Sequence, residues 1–367
     1  MEFKSGSAPW DEALRRTGAA WPALASRVGA NPTALPGWIG ISLAALQPEG
    51  EVRAYLHFVD GALQAVVPYR RTKRKFFGIP LRLLDLNVSV ARYHYDFAAQ
   101  SPPAATLAAC LADARGPGWD LAFAGNVVVG SPFHAALLQM NEFQSCIVVR
   151  YPAETSPYLP LERSWEELVS TKQKKFRYNI RRRASDFSLQ RGYVMSWFGE
   201  GADTERLLAH MLVIERGSWK ARVGRAISDS TTETAYHRAL LPWLARSGFL
   251  RANVLYRRSD PVAYNLCCRY GAWCGQLKTS FLESEASGSP GAHVIDAAIQ
   301  DAIGADCTEF DFLGDADSHK LAWSKAVRTH EDVFLFRKNA SAGPIGVLKA
   351  LMRLKAKRSK QGQPASE

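Results

Sequence analysis

Apolar and polar positions alternate in several short runs of the first 150 residues, a pattern typical of strands. The run VRAYLHFVDGALQAVVPYRR holds two alternating segments around Asp60-Gly61, a pair that favours a tight hairpin turn. Helical spacing marks residues 10–28 and the run TLAACLADAR, whereas FFGIPLRLLDL, WDLAFAGNVV and QSCIVVRYP predict further strands. These segments predict a mixed N-terminal lobe over residues 1–155. The three prolines of PAETSPYLP predict that a linker begins there.

The spacing of apolar positions becomes helical after residue 160. Ser164 followed by Glu167 has the form of a capping box, which marks the start of a helix. An amphipathic stripe then predicts one long helix within a linker spanning residues 156–200. The stripe consists of Trp165, Leu168, Val169, Phe176, Ile180, Ala184 and Phe187.

The order of elements after residue 200 predicts a second lobe over residues 201–339. Two helices, 203–216 and ETAYHRALLPWLARSG, flank the polar connection SWKARVGRAISDS. A meander follows, made of RANVLYRR, PVAYNLCCRY and AWCGQLKTSF. The polar loop LESEASGSPG then opens a helix, and the strand TEFDFLG, the helical turn HKLAWSK and the strand HEDVFLFRK complete the lobe. The tail, residues 340–367, is basic and of a composition typical of poorly ordered chain.

Composition narrows the class of protein without identifying the fold. The chain has 367 residues, which predicts two domains, and 47% of its residues are apolar. Its formal charge of +11 indicates attraction to polyanions or phosphorylated ligands. None of the six cysteines forms a C-x-x-C pair, so we expect buried, reduced thiols and no metal site. The N-terminus is polar and no apolar run approaches the roughly 20 residues of a membrane span, which predicts a cytoplasmic protein.

The basic stretch KQKKFRYNIRRRASDF, residues 172–187, has three interpretations. It could bind nucleic acid, hold an anionic substrate, or form the solvated face of the predicted amphipathic helix. Lys175, Arg177 and Arg181 are the candidates for holding a phosphate group on this helix. The stretch SWKAR offers further substrate contacts, because Trp219 could stack on a sugar or a base, or cover the core, and Lys220 follows it.

Two loops carry candidate chemistry in the second lobe. The glycine-containing loop before the predicted helix AHVIDAAIQDAIG could seat an anion, because glycines permit close approach and a helix N-terminus offers free N–H groups. Its candidate residues are Ser287, Gly288, Ser289, Gly291 and Ala292. The segment FDFLGDADSHKLAW places Asp311, His319 and Lys320 after a strand end, and a lysine there could stabilise an oxyanion.

Taken together, these stretches resemble a branch of the GNAT fold: the CelD/BcsL-type acetyltransferases of polysaccharide biosynthesis, relatives of the Fem peptidyltransferases. The resemblance is carried by the basic helix KKFRYNIRRR, the segment ERGSWKARVG, the Ser-Pro-Gly loop at 289–291 and the block DFLGDADSHKLAW. It is strongest over residues 162–338. The chain departs from the family pattern in two places: residues 280–283 read SFLE where the family often has Tyr-Asp-Glu, and His319 replaces a tyrosine.

The resemblance implies an α/β (α+β) fold of tandem GNAT-like lobes, each a mixed, mostly antiparallel sheet flanked by helices, with a degenerate first lobe. It implies an acyltransferase that moves an acyl group from acetyl-CoA or another acyl-CoA to an amine or hydroxyl of a sugar. The fourth strand of the second lobe would hold the pantetheine by its edge, and the Ser287–Ala292 loop the pyrophosphate. Lys320 would hold the transition state or a substrate phosphate by its charge, and Glu215, Asp311 or His319 would accept the proton.

The resemblance also implies partners: acyl-CoA, a small-molecule or glycan acceptor and a polysaccharide synthesis complex, with no specific nucleic acid. Two alternatives stay open. One is a Fem-like transferase that uses aminoacyl-tRNA, which the basic helix would suit. The other is a non-catalytic GNAT-like module that binds polyanions or a membrane surface. The basic tail, with its apolar side, could support peripheral contact with the inner face of the membrane.

Overall fold

The computed structural model describes residues 4–76, 79–88, 97–100, 103–114, 118–143 and 146–337. The predicted tail, residues 340–367, lies outside this part of the chain. The chain is divided into two compact units. Among the described residues, those up to 39, those within 48–153 and residues 329–337 belong to the first unit, and residues 40–47 and 154–328 belong to the second.

Strands and helices occur in mixed order along the described residues. The strands are β1 (Gly6–Pro9), β2 (Glu51–Val59), β3 (Ala62–Phe76), β4 (Ile79–Asp85), β5 (Ala98–Ala99), β6 (Leu121–Val128), β7 (Cys146–Pro160), β8 (Tyr193–Phe198), β9 (Leu250–Arg257), β10 (Asp260–Tyr270), β11 (Trp273–Phe281), β12 (Glu309–Asp311) and β13 (Val327–Arg337). The α-helices are α1 (Trp10–Thr17), α2 (Ala20–Arg27), α3 (Pro36–Leu46), α4 (Pro103–Asp113), α5 (Pro132–Phe143), α6 (Trp165–Ser170), α7 (Lys174–Asp186), α8 (Thr204–Arg216), α9 (Trp219–Arg222), α10 (Thr231–Arg246), α11 (Pro290–Gly304) and α12 (Ser318–Trp323).

The sheet of the first unit has the order β1-β2-β3-β4-β6-β13. All of these neighbours are antiparallel except β4 and β6. The predicted hairpin is confirmed: β2 and β3 join through Asp60 and Gly61, whose φ angles of 49° and 76° suit a tight hairpin turn. α4 and α5 contact each other and contribute to a core with Tyr69, Trp119 and Phe133 fully buried.

Two predictions for the N-terminal half were wrong in detail. Residues 10–28 form two helices, α1 and α2, because Gly18 adopts a left-handed φ of 46° that ends the first. The proline-rich segment PAETSPYLP continues β7 instead of forming a linker. A proline lacks only the N–H donor, so the strand keeps its carbonyl acceptors, as at Pro157, which accepts from the N–H of Phe312 at 3.1 Å.

The sheet of the second unit has the order β7-β12-β11-β10-β9-β8. The meander β9-β10-β11 is antiparallel, as predicted, and β12 is parallel to β11. Its two faces are covered by different helices. Tyr264 bonds to α8, whereas Asn253, which pairs with the adjacent Asn265, bonds to the carbonyl of Val294 in α11. Because neighbouring residues of a strand point to opposite faces, α8 and α11 lie on opposite sides of this sheet.

The single long helix predicted after Ser164 is two helices, α6 and α7. Ser164 does cap the first, its hydroxyl accepting from the N–H of Glu167 at 3.1 Å. The helical conformation is then interrupted at residues 171–173. Helix α7 packs on α11 within the second unit, whereas the predicted division places residues 156–200 in a linker. The boundaries at 1–155, 156–200, 201–339 and 340–367 stay predictions.

Each unit, taken by itself, is a mixed and mostly antiparallel sheet flanked by helices, which confirms the predicted fold class. All six cysteines are free and buried, as predicted.

Candidate functional site

The parallel strands β11 and β12 separate after a short paired stretch. They pair only through Trp273–Gly275 and Glu309–Asp311. β12 ends at this point, and the next N–H groups bond elsewhere: that of Phe312 to Pro157 and that of Leu313 to the Asp311 carboxylate. β11 continues to residue 281, paired to β10 on its other side. Residues 276–281 therefore have an edge that β12 does not cover.

A β-bulge lies at the same point of β11. Leu266 of β10 pairs with Lys278 and Cys267 with Gln276, so Leu277 is the extra residue. The bulge changes which face the side chains occupy. Gln276 bonds to Asn265 on the α11 face at 2.6 Å, whereas Lys278, two residues later, lies on the α8 face near Glu215. The strand thus changes its alternation where it separates from β12.

The vertex of the split has an acid facing a glycine. Asp311 pairs with Gly275 and is fully buried. Its carboxylate accepts hydrogen bonds from Arg328 at 3.1 Å, Trp273 Nε1 at 3.4 Å and the backbone N–H of Leu313 at 3.0 Å. A Cβ on Gly275 would lie 2.0 Å from the Trp273 ring, so only glycine fits. With these donors, Asp311 stabilises the vertex as an acceptor of hydrogen bonds.

Lys320 holds the turn that follows β12. Its Nζ donates to the carbonyls of Leu313 at 2.8 Å and Asp315 at 2.9 Å, and Asp317 caps α12 by accepting from the Lys320 N–H. Leu313 has a left-handed φ of 47°, a strained conformation for a branched residue that surrounding contacts must hold. Burial lowers the pKa of Lys320, opposed by attraction to Asp317 and Asp315.

His319 lies beside Lys320 and is exposed. Although the residue is exposed, neighbouring protein atoms limit the hydration of its imidazole, and this partial loss of hydration lowers the pKa of the ring. Asp317 opposes this shift, while the charges of Arg183 and Lys320 add to it. The ring is therefore neutral at pH 7 and can accept a proton.

Glu215 organises a buried polar cluster on the α8 face. Its carboxylate accepts from Lys220 Nζ at 2.9 Å, the Tyr264 hydroxyl at 2.7 Å and the N–H of Ile227 at 2.7 Å, and Lys278 Nζ lies 3.7 Å away. Burial raises the pKa of Glu215, but the two ammonium groups and these hydrogen bonds outweigh it, so the net shift is downward. Glu215 is thus a charged anchor with its acceptor positions occupied.

Lys220 is bound on both sides within this cluster. Its Nζ also donates to the carbonyl of Thr279 in β11 at 2.6 Å, which ties the connection after α8 to the separated part of that strand. Burial lowers the pKa of Lys220, opposed by Glu215. The neighbouring Trp219 points outward and is 41% exposed, so it does not cover the core.

The predicted anion loop, residues 287–292, is packed under aromatic rings. A Cβ on Gly288 would lie 2.6 Å from the Phe187 ring, and one on Gly291 would lie 2.7 Å from the Phe281 ring. Ser289 has a left-handed φ of 62°, and its carbonyl accepts from the N–H groups of Ala292 and His293 at 3.1 and 3.2 Å. Ser287 is exposed. The loop therefore brings backbone to the N-terminus of α11, at the far end of the uncovered β11 edge.

The basic helix α7 differs from its predicted orientation in one residue. Ile180 and Phe187 are buried as predicted, but Ala184 is exposed and Arg183 is buried in its place. Arg183 forms a two-pronged ion pair with Asp296 of α11, at 2.7 and 2.9 Å. A charged side chain occupies the inward stripe because its partner is buried opposite it, which a pattern of apolar positions cannot reveal.

The three cations predicted on α7 lie outward or half outward. Lys175 and Arg181 are exposed, and Arg177 donates to the carbonyl of Ser170 at 3.1 Å. The helix is anchored to the first two turns of α11: Phe187 stacks on His293 and Arg183 pairs with Asp296. Burial, with the charge of Arg183, lowers the pKa of His293 to about 4. Burial raises the pKa of Asp296 to about 6, although Arg183 opposes it.

The predicted site residues thus fall into groups around one strand. Asp311 lies at the vertex of the split, Glu215 and Lys220 on the α8 face beside Thr279, and the 287–292 loop beyond the end of β11. The sequence did not predict Tyr264, Lys278, His237, Arg183, Asp296 or Arg328. A polar side chain inside an otherwise apolar strand, such as Tyr264, was the available signal. No group of side chains suited to a metal ion occurs among the described residues.

Comparison with known proteins agrees with this geometry. Residues 174–321 match the family model of an acetyltransferase (GNAT) domain. No curated protein matches the chain. Within the described residues, no helix combines the length and the apolar character needed to cross a bilayer.

Solved structures share the fold at low sequence identity. The C-terminal domain of a putative lysylphosphatidylglycerol synthetase from Agrobacterium fabrum superposes with a TM-score of 0.58 at 10% identity, covering 95% of this chain and 96% of that one. FemX gives 0.60 at 12% identity, covering 84% and 93%. L-PGS from Bacillus licheniformis gives 0.54 at 11% identity, covering 92% and 97%. With the family match, these likenesses show a GNAT-type fold.

Proposed function

We propose that the protein transfers an acyl group from acetyl-CoA or another acyl-CoA to an amine or hydroxyl of a sugar in exopolysaccharide or cell-envelope biosynthesis. The observation that carries the proposal is the separation of β11 from β12 with a bulge at Leu277. An uncovered strand edge presents backbone N–H and C=O groups that an extended amide-containing chain can pair with. The pantetheine arm of coenzyme A is such a chain.

The residues around this edge would bind different parts of the acyl-CoA donor. The N-terminus of α11, opened by the 287–292 loop, is oriented to favour the negative charge of the pyrophosphate. The thioester would lie just past the vertex, where β11 separates from β12 and backbone N–H groups of the strand edge could stabilise the oxyanion. Lys320 fixes the turn after β12 through two carbonyls and adds positive charge nearby.

His319 is the proton acceptor in this proposal. Of the three candidates, Glu215 and Asp311 are fully buried, and each already accepts several hydrogen bonds. His319 is exposed, and its lowered pKa keeps the imidazole neutral at pH 7. It could take the proton from an attacking amine or hydroxyl and release it to solvent.

The CelD/BcsL-type resemblance supports the sugar acceptor and an association with polysaccharide synthesis. The exposed aromatic ring of Trp219, which follows the Glu215 anchor, supports it as well, because such a ring can stack on a sugar face. Mass spectrometry of products formed from amino sugars and a panel of acyl-CoAs would identify both the acceptor and the acyl chain.

The donor site is tested by Ala292→Glu. A glutamate in the first turn of α11 interacts favourably with the helix dipole, so the fold should persist. Its negative charge would, however, repel a pyrophosphate. We expect coenzyme A, measured by isothermal titration calorimetry, to bind about tenfold more weakly than to the wild type. Thr231→Glu, in the first turn of α10, is the matched control and should bind normally. Failure of the wild type to bind coenzyme A, or equal binding by Ala292→Glu, would refute the donor site.

A second candidate function is supported by the outward face of α7. Lys175 and Arg181 are exposed there, and a run of exposed cations suits a polyanionic donor such as aminoacyl-tRNA. Incubation with acetyl-CoA in one reaction and charged tRNA in another, followed by assay of each donor, would separate the two. If only the charged tRNA is consumed, aminoacyl-tRNA and not acyl-CoA is the donor.

A further inference from the structure

The α8 face of β11 carries more positive than negative charge in a largely buried cluster. Two ammonium groups, those of Lys220 and Lys278, share the single carboxylate of Glu215. Lys220 lies closer and is bound twice, to Glu215 and to the carbonyl of Thr279. Lys278 Nζ lies 3.7 Å from the same oxygen, beyond hydrogen-bonding distance, and donates to no acceptor among the residues that the structure describes.

Lys278 is placed where it can reach a substrate. Its side chain is 18% exposed, so the ammonium is partly dehydrated but accessible. It follows the bulged residue Leu277 directly, on the strand whose edge is uncovered. An ammonium in this state gains more from an anionic partner than a fully hydrated one, because part of its hydration has already been lost.

A second unsatisfied group lies on the same face. Ser280 pairs with Tyr264 across β10 and β11, so its hydroxyl points toward the α8 side, as Lys278 does. Ser280 is 4% exposed, and its Oγ has no hydrogen-bond partner within the described part of the chain. A buried hydroxyl without a partner costs free energy unless something binds to it.

A third polar group borders the cluster. The Nδ1–H of His237 donates to the carbonyl of Glu233 at 2.8 Å, which leaves Nε2 as the unprotonated nitrogen. Burial lowers the pKa of His237; Glu233 opposes this shift, and the charge of Lys278 adds to it. Around the cluster, the charged groups are Glu215, Lys220 and Lys278, and Glu233 is more exposed to solvent. The two lysines outweigh the one buried carboxylate, so the buried groups carry a net positive charge.

We propose that Lys278 and Ser280 form an acceptor subsite that binds an oxyanion, so that the acceptor is a sugar bearing a phosphate or carboxylate group. The proposal rests on the acyltransferase function proposed above. The Lys278 ammonium supplies the positive charge, and the Ser280 hydroxyl supplies a hydrogen-bond donor. The Glu215 carboxylate attracts Lys278 and so positions it, while Lys220 forms the closer hydrogen bond to that carboxylate. The excess of positive charge over Glu215 is what an acceptor anion would neutralise.

Direct binding to the full-length protein tests the subsite without requiring turnover. We would titrate glucosamine, glucosamine 6-phosphate and glucuronic acid into the protein by calorimetry. We expect at least one of the two anionic sugars to bind the wild type about tenfold more tightly than glucosamine, the gain typical of one charge-assisted hydrogen bond. Lys278→Met should lose this preference and Lys278→Arg should retain most of it. Lys325→Met, which removes an exposed lysine elsewhere in the unit, should behave as the wild type.

Coenzyme A titrations separate this proposal from the donor site. Lys278→Met should bind coenzyme A with unchanged affinity, because the lysine contacts the acceptor. Weaker coenzyme A binding by Lys278→Met would assign the lysine to the donor and overturn the subsite. The subsite is also overturned if the wild type binds neither anionic sugar more tightly than glucosamine, or if Lys278→Met keeps the preference. Absence of coenzyme A binding by the wild type would instead refute the donor site, leaving the sugar titrations to judge the subsite.

Discussion

The parallel pair β4-β6 of the first unit and the parallel pair β11-β12 of the second unit end differently. In the first unit, β4 pairs with β6 over three residues of each strand. The N–H of Leu86 then donates to the carbonyl of Phe123 at 2.8 Å, and the side-chain amide of Asn87 reaches the carbonyl of Gly125 at 3.3 Å. Hydrogen bonding to β6 thus extends past the end of β4, and the pair is closed.

In the second unit the paired residues fall at the start of β11. The strand continues through residues 276–281 after β12 has ended, and its register against β10 shifts at Leu277. No such shift occurs between β3 and β4. The comparison teaches that a common order of strands does not fix a binding edge. The two units differ in where the parallel pairing falls along the strand, at the end of β4 but at the start of β11, and in the extra residue Leu277 of β11.

Lys320→Ala should have the largest effect, because it releases the turn that ends β12. We expect turnover to fall about 100- to 1,000-fold with little change in the far-ultraviolet circular dichroism spectrum, the range found for loss of one stabilising donor. The assay is acyl transfer to the acceptor found by mass spectrometry. Lys325→Ala, an exposed lysine on the same segment, serves as the control. Normal turnover by Lys320→Ala would remove Lys320 from the mechanism.

The pH dependence of turnover tests whether His319 is the base. Because its pKa is lowered below the usual 6.5, the neutral form persists at pH 7 and is lost only as the pH falls below that value. We expect kcat/KM to decline on the acid side below pH 6.5. His319→Asn should lower kcat about 100-fold and abolish this decline, the acid limb of the pH profile.

His134 of the first unit provides the matched comparison for His319. It is buried, and its Nε2 lies 2.9 Å from the Glu331 carboxylate. His134→Asn should therefore keep the acid limb of the wild type. An unchanged limb in His319→Asn would exclude that residue as the base.

Asn87→Ala should have the smallest effect and tests the closed pair of the first unit. Loss of one side-chain hydrogen bond should lower the free energy of unfolding by about 1 kcal/mol, measured in urea. Since β4 ends where its pairing ends, we expect no new binding edge and a stoichiometry of one coenzyme A per chain. A second binding event in calorimetry would show that the comparison between the pairs is wrong.

Much of the fold was predictable because it follows from local patterns. The hairpin at Asp60-Gly61 and the meander of the second unit have turn residues and alternation that tertiary contacts do not override. The break between α6 and α7 was not predictable, since apolar spacing continues across residues 171–173. The strand β7 was missed because three prolines resemble a linker, although the chain there uses carbonyl groups for bonding.

The candidate site was predictable only where a residue is close in sequence to a recognisable turn. Asp311 and Lys320 share one segment, and the 287–292 loop precedes a helix, so local reasoning selected them. The pairing of Arg183 with Asp296 joins residues far apart in the chain, which a single sequence cannot indicate. Glu215 was selected as a reactive acid, and the structure shows its carboxylate occupied by three hydrogen bonds.

The bulge at Leu277 also governs how this chain tolerates changes in length. Gln276 points to the α11 face and Lys278 to the α8 face, although strict alternation would place both on one side. Deleting Leu277 would restore regular alternation and leave Lys278 and Ser280 on the α8 side, whereas closing the bulge without a deletion would turn both toward the α11 side. A relative without the bulge residue would therefore keep the same substrate-facing surface, whereas a sequence alignment that omits the one-residue gap there would compare opposite faces of the strand.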